Sequence, residues 1–391
     1  MPDGSINIVL LGVDEEGENS QWWRTDVIIV VSINPEGPYV TLLSIPRDLY
    51  VWIPGYGFDR INTAEYRGQV NNLPGGGAGT IKATIEYNLG IPIHFYARAD
   101  FEGFVRVVDT LGGIEVPIEC ELHDTFPDPA DPEQGIDIDF MPGLQHLGGH
   151  PALWYVRSRW STHDFDRNRR QQQVLRALYR QAMSLEVIPH IPDLWDTLLE
   201  SVETDLGLDE VVYLGLIGSQ LDGSNVKSRF LSSAYLEYWV APSGAHVLLP
   251  LTDSLAPLVA EALQPPAAGR ANQPPFRVEV WNGSGRPELG TVAVERLRWE
   301  GFEVVDLLDA GQIYPRTQIV NLSTTDKGSP IELLMRLYSR VYSDVVSQPT
   351  EGSLVDLRII LGADYDPCVS TALIQYIAPP TPTPTPEGGS P

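Results

Sequence analysis

The chain is predicted to be an α/β protein: an α/β/α sandwich on a mixed central sheet, followed by a second, small α/β domain. Three observations carry that expectation. Residues 26–33 (DVIIVVSI) and 39–45 (YVTLLSI) are continuously apolar, as strands are when both faces of their sheet are covered. Strand-like and helix-like segments then alternate along the chain to about residue 264, the order a layered α/β domain requires. Finally, a proline-rich break, PPAAGRANQPP at 265–275, precedes a second and shorter alternation.

The elements follow in order. Residues 6–13 read as a buried strand that ends at Asp14. NPEGP separates the runs at 26–33 and 39–45, and such a turn signal marks them as an antiparallel hairpin. A short helix is expected within 60–73. GGGAGT at 75–80 leads into a helix at 79–89; a glycine turn there can cradle phosphate, but it lacks the P-loop lysine pattern. HFYARAD (94–100) is a strand, 101–113 an amphipathic helix with a glycine stop, and 114–118 a strand. The acidic, proline-rich stretch 124–140 reads as an exposed loop, and ALWYVRSR as a strand carrying Arg157 and Arg159 on one face. A helix begins near Arg167, further helices fill 190–217, strands or an irregular edge fill 226–249, and a helix over 247–264 closes a first domain of residues 1–264. Residues 276–366 form the second domain; the Pro/Thr-rich end, 378–391, cannot build a packed core and is read as a disordered tail.

The 391 residues are long enough for two or three cores, and 43% of them are apolar. There are 52 acidic against 26 basic side chains, a formal charge of −26, which argues against nucleic-acid binding and against a broad grip on anionic lipid. The two cysteines, Cys120 and Cys368, form no metal or redox motif; buried thiols and an interdomain disulfide are both open. No apolar run is long enough to span a membrane, and no signal peptide is visible. Because the first strand begins almost at once, a membrane anchor is expected upstream of this chain.

Against that acidic background, residues 157–176 hold six arginines and two acids. Strand-end Arg157 and Arg159 meeting a helix that opens with Arg167, Arg169 and Arg170 would suit a phosphate or pyrophosphate. Asp14 and Asp26, at neighbouring strand ends, either cap turns or share a Mg²⁺ ion whose shell is completed by substrate phosphate. Arg24 would share the face of Asp26. Arg47 and Asp48 stand at the end of the third strand, where rigid scaffolds place working residues, with Arg60 and Asn62 as weaker members of the same wall. This set suits phosphoryl chemistry without a covalent enzyme nucleophile.

The ordered pieces NIVLLGVD, RTDVIIVVSI, LLSIPRDLYV, RINTAEYRG, IKATIEYNLGI, HFYARADFEGFVRVVDTLGGIEV, GLQHLGGHPALWYVRSR and FDRNRRQQQVL resemble the LytR-CpsA-Psr family of cell-wall glycopolymer ligases over roughly residues 6–220. VEVWNGSG, GFEVV and IILGADY resemble the LytR C-terminal domain over 276–365. The resemblance implies a Mg²⁺-assisted phosphotransferase, membrane-anchored and working outside the cytoplasm, that moves a glycopolymer from a polyprenyl diphosphate carrier to peptidoglycan. It implies Asp14 and Asp26 as metal-associated, and Arg24, Arg47, Arg157, Arg159, Arg169, Arg170 and Gln171 as diphosphate-binding, with Asp48 part of the Arg-Asp motif. It also implies an apolar channel for the prenyl chain, with Ile81, Ile85, Phe101, Phe104, Val105, Val108 and Leu175 as its expected lining. A lipid-diphosphate hydrolase, or a non-catalytic lipid-binding envelope protein, are the competing expectations. Trp22 and Trp23, between the two aspartates, would screen the phosphate site or touch a glycan.

Overall fold

The computed structural model of the chain describes residues 4–14, 23–37, 39–128, 131, 134–158, 164–184, 189, 191, 195, 198–221, 225–231, 234–263, 275–324 and 328–368. Expectations for Trp22, for Arg159 and for the tail 378–391 lie outside them.

Strands β1 (Ile6–Val13), β2 (Thr25–Asn34) and β3 (Tyr39–Ser44) form the centre of the first domain. The expected hairpin is present, with β2 antiparallel to both neighbours. Period-2 alternation sorts their side chains into two layers. Val9, Leu11, Ile28, Val30 and Leu43 enter one core, while Ile8, Ile29, Ile33, Val40 and Leu42 enter another. Both faces are covered, which is why the strands read as unbroken apolar runs.

The hairpin β4 (Tyr50–Ile53) and β5 (Gly57–Arg60) leads through a 3₁₀ turn at Ile61–Thr63 to α1 (Ala64–Val70) and α2 (Gly76–Leu89). The glycine-rich turn is a packing device. A Cβ on Gly77 would stand 2.9 Å from the Glu65 carbonyl oxygen, and one on Gly68 would stand 2.3 Å from the Thr80 hydroxyl, so these glycines let α1 and α2 touch. Next come β6 (Phe95–Ala99), parallel to β1, and α3 (Phe101–Thr110), whose first turn is capped by the Asp100 carboxylate accepting from Gly103 N–H.

An outlying unit follows: β7 (Ile114–Ile118), β8 (Leu122–Pro127), β9 (Gly135–Phe140) and β10 (Gly143–Leu147). The stretch 124–140 is therefore not an open loop. β8 and β9 pair antiparallel, and Phe126, Ile136, Ile138 and Phe140 pack inward. GIDIDF carries the period-2 signal, which the flanking acids and prolines obscure. A second correction concerns ALWYVRSR. It is not a strand: α4 (Gly149–Arg157) ends at Arg157. Ala152, Leu153, Trp154, Tyr155 and Val156 are all buried, so this short run shows no helical stripe and periodicity alone does not separate helix from strand.

Helix α5 (Asp164–Ser184), β11 (Glu203–Thr204), α6 (Leu208–Gly218), β12 (Val226–Phe230), β13 (Leu236–Val240), β14 (His246–Pro250) and α7 (Thr252–Leu263) complete the domain. The main sheet has the order β11-β6-β1-β2-β3-β12, mixed as expected. The second domain consists of β15 (Arg277–Asn282), α8 (Pro287–Trp299), β16 (Glu303–Asp309), β17 (Gln318–Asn321), α9 (Gly328–Leu337), β18 (Val345–Ser347) and β19 (Leu357–Leu361), in a five-stranded sheet with its own core.

The two domains meet along a seam. Cys120 and Cys368, 248 positions apart, form a disulfide across it. Arg169 donates twice to the Glu119 carboxylate, at 2.8 and 2.6 Å, and the Trp299 ring of α8 lies 4.7 Å from Arg169 and 4.0 Å from Arg176. Burial alone would raise the pKa of Glu119, but the charge and hydrogen bonds of Arg169 outweigh it and hold the carboxylate below its ordinary value. Cleavage at a protease site introduced within 265–275 should give two fragments that travel together on a non-reducing gel and part after reduction. Separation without reductant would show that the two cysteines are not joined.

Candidate active site

β1, β3, β6 and β12 all run in one direction, and the charged residues gather at their carboxyl ends. That is where open α/β sheets place ligands. The register there is irregular. Gly12 pairs with Val27 and Val13 with Thr25, so Asp26 is the extra residue of a β-bulge and has no opposite number. A bulge re-aims the side chain it carries. The Thr25 hydroxyl anchors the distortion by donating to the buried Glu65 carboxylate at 2.7 Å.

Asp14 and Arg24 bond each other's backbone: Asp14 N–H donates to Arg24 O at 3.1 Å, and Arg24 N–H donates to Asp14 Oδ1 at 2.9 Å. Partial burial and the neighbouring charge of Asp26 raise the pKa of Asp14. Asp26 itself accepts from Arg47 at 2.6 Å. Arg47 is 3.5 Å from Asp48, whose other oxygen accepts from Arg60 at 3.1 Å. The result is a string of alternating charges, Asp26–Arg47–Asp48–Arg60, partly exposed throughout. Its turn is pinned by Asn62 N–H donating to Arg47 O and Leu248 N–H donating to Asp48 O. Guanidinium groups held in this way need little reorganisation to meet an incoming anion.

Arg98 and Glu65 were not among the expected site residues. Arg98 pairs in register with Leu11 on β6, contacts Glu65 at 3.4 Å and Glu203 at 3.0 Å, and lies over the Trp23 ring at 5.9 Å. A lone arginine inside the strand HFYARAD was the available signal. Trp23 stands edge-on to Tyr66, at the base of the segment between the aspartates.

Arg157 reaches the same end of the sheet by a route other than the expected strand. It closes α4 and stacks over Phe101, 4.1 Å from the ring centroid, two residues after Ala99 pairs with Gly12. Arg170 holds that helix end, donating to Tyr155 O at 2.9 Å and Ser158 O at 2.5 Å, so it positions Arg157. The structure places Arg169 at the interdomain seam, where Glu119 already occupies its fork, and not among the strand-end residues. Gln171 is buried within α5.

Beneath these residues, on the α3/α5/α6 side of the sheet, lies a cavity of about 510 Å³ with an almost wholly apolar wall. Its floor is Ile8 and Leu10 of β1, Val31 and Ile33 of β2, and Val40 and Leu42 of β3. Of the seven expected lining residues, Leu175 borders it. Ile81 and Ile85 belong to the core on the other side of the sheet. Phe101, Phe104, Val105 and Val108 form the stripe of α3 that packs toward α4, and the helix turns Val107, Thr110 and Leu111 to the cavity instead. Asp14 follows Leu10 by four residues, or about 13 Å along a strand.

Among the described residues no three His, Cys, Asp or Glu side chains cluster as a metal site. Two neighbouring carboxylates that repel each other do fit Mg²⁺, which takes one or two protein carboxylates and fills its shell with water and phosphate. Asp14 and Asp26 would hold it. Because the folded-state pKa of Asp14 is raised, its contribution to stability is full below the unfolded value near 3.8 and is lost as pH rises through the folded value. Asp14→Asn should therefore raise the metal-free unfolding temperature at pH 7, with the gain vanishing below about pH 4. A constant gain across that range would contradict the assignment.

Residues 1–255 match the LytR_cpsA_psr family, and residues 276–365 match the LytR cell envelope-related transcriptional attenuator domain. The chain is 36% identical over 209 residues to the polyisoprenyl-teichoic acid–peptidoglycan teichoic acid transferase TagU of Oceanobacillus iheyensis, covering 53% of this chain and 61% of that protein. It spans about three fifths of the length of the curated relatives it matches. The crystal structure of Bacillus subtilis TagV superposes with a TM-score of 0.56 at 28% identity, covering 68% of this chain and all of the other. The structure described as TagT bound to LI-WTA gives 0.53 at 26% identity, covering 66% and 90%. The chain belongs to the LytR_cpsA_psr family.

Proposed function

We propose that this protein is a phosphotransferase that moves a glycopolymer from a polyprenyl diphosphate carrier to peptidoglycan. The observation that carries the reading is one sheet with two chemistries. Its strands line an apolar cavity along their middle and present a tethered string of arginines and carboxylates at their ends. A lipid diphosphate has the same division, an oily chain joined to a compact polyanion. The relatives' names as teichoic acid transferases support the same substrate class.

In this reading the prenyl chain lies against Leu10, Val31, Leu42, Leu111 and Leu175. Arg47 and Arg60, with Arg24, Arg98 and Arg157 around them, hold the diphosphate oxygens. The acceptor hydroxyl attacks the phosphorus that bears the glycan. The bond to the bridging oxygen breaks, polyprenyl phosphate leaves with its electron pair, and a phosphodiester joins polymer to wall. The hydroxyl proton is lost in the same step, to Asp14 or Asp26 at the strand ends when that carboxylate is not itself holding metal. Mg²⁺ bound by these aspartates would supply further charge neutralisation for the leaving phosphate. Asp48 fixes the spacing of Arg47 and Arg60.

The protein would act outside the cytoplasmic membrane, attached to it. The Cys120–Cys368 disulfide supports an oxidising compartment. Among the described residues no helix is long and apolar enough to cross a membrane.

Purified protein, given a polyprenyl diphosphate-linked glycan and peptidoglycan fragments, should form the joined product with release of polyprenyl phosphate. Asp26→Ala and Arg47→Gln should each lower the rate about 100-fold or more while the chain stays folded. Undiminished transfer by either folded variant would overturn the site. Product as free polymer alone would favour the hydrolase, and no turnover at all the lipid-binding protein. Leu111→Trp, which adds bulk to the cavity, should slow transfer from long prenyl donors and spare short-chain analogues; equal slowing of both would place the chain elsewhere.

A further inference from the structure

A second concentration of arginines lies away from the strand ends, in the seam between the domains. It surrounds a cavity of about 370 Å³. One face of α5 supplies Arg169, Arg176 and Arg180, spaced seven and then four residues apart, and the last turns of α8 supply Glu295, Arg298 and Trp299. With Glu119, the wall carries four guanidinium groups against two carboxylates, a surplus of two positive charges (4 − 2). Close behind the wall, Glu300 acts on Arg169 and Arg176 while Arg296 acts on Glu119, and these two cancel. A chain with a formal charge of −26 has thus built a cationic hollow.

Both carboxylates are already paired within the wall, and they leave its surplus charge uncancelled. Glu119 takes the fork of Arg169, and Glu295 is shared between Arg180 and Arg298. Arg176 donates only to neutral groups, Val226 O and the Ser228 hydroxyl, both at 2.9 Å, and its buried Nε has no hydrogen-bond partner among the described residues. Burial and then the charge of Arg169 pull its pKa down to about 9. Glu300 and Glu295 act on Arg176 without forming an ion pair with it among the described residues, and a guanidinium in that position gains from an anion bound directly against it.

We propose that the seam cavity is a binding site for one phosphate group, as a monoester or diester. A phosphate monoester carries about −1.5 to −2 charges at neutral pH and a diester about −1, so the surplus of two can neutralise either, and the oxygens of both fit guanidinium forks. Arg180 and Arg298, about half exposed, stand at the mouth, and Arg176 forms the inner wall. Both domains contribute, so occupancy would tighten the seam already closed by the disulfide. The site is independent of the strand-end diphosphate site, although Arg176, Tyr179, Leu221 and Val226 border both cavities.

The test uses the full disulfide-bonded chain and inorganic phosphate, with binding measured by calorimetry at fixed ionic strength. Arg176→Gln should weaken binding about 10-fold or more. Arg298→Gln, at the mouth and half exposed, should do the same and guards against a fold defect in the first variant. Arg47→Gln, at the other site, should leave this binding event intact. Loss of all phosphate binding in R47Q with none in R298Q would overturn the proposal, as would no binding to the unmodified chain. Sedimentation with phosphatidylglycerol vesicles against phosphatidylcholine vesicles then identifies the source. Arg298-dependent co-sedimentation supports the site with a lipid headgroup as its phosphate, and phosphate binding without co-sedimentation supports it with a soluble one.

Discussion

The ion pair between Asp26 and Arg47 is the contact on which the strand-end site depends. It joins the start of β2 to the turn after β3, and through Asp14 it influences the end of β1. The start of β2 and the end of β3 are thereby set in one place by one short bridge, and the end of β1 is held beside them by the Asp14–Arg24 backbone bonds. The bulge at Asp26 makes this possible, because in a regular ladder that side chain would take its turn in the alternation of the sheet. Asp48 then extends the bridge to Arg60, so that Arg47, between two carboxylates, is fixed from both sides. Partly exposed pairs of this kind add little to stability. Their consequence is orientation.

The same sheet has two unlike faces. On the α1/α2/α7 side, Val9, Leu11, Ile28, Val30 and Leu43 meet Ile81, Ile85 and Leu258 in a closed core. On the other side, the alternate residues of the same strands face a cavity. Close packing is the ordinary condition of an interior, so an apolar hollow of this size on one face is informative. It gives the apolar part of an amphiphile a place directly below the charged ends of the strands.

Four of the arginines of residues 157–176 divide into three roles. Arg157 reaches the strand ends, Arg170 holds the helix end that carries it, and Arg169, fixed by Glu119 of its own domain, joins Arg176 in meeting Trp299 of the second domain. A single basic segment therefore serves both a site and an interface. The disulfide beside it keeps the two domains in contact, and so keeps both walls of the seam cavity together.

By itself the sequence determined the layered α/β class, the hairpin at 26–45, the second domain, and the presence of Asp14, Asp26, Arg47 and Asp48 at strand ends. These follow from period, turn residues and order along the chain, which are local properties. It carried the wrong element at 152–157 and a loop at 124–140, because a short buried run has no visible period and acids mask an alternating one. It also left open whether the cysteines pair. Tertiary structure alone decided which arginines face the strand ends, which stripe of α3 lines the cavity, and that Cys120 meets Cys368. The reason is that a side chain's partner is fixed by the packing of elements remote in the chain: Glu119 claims Arg169 across 50 residues, and no pattern near either one announces it.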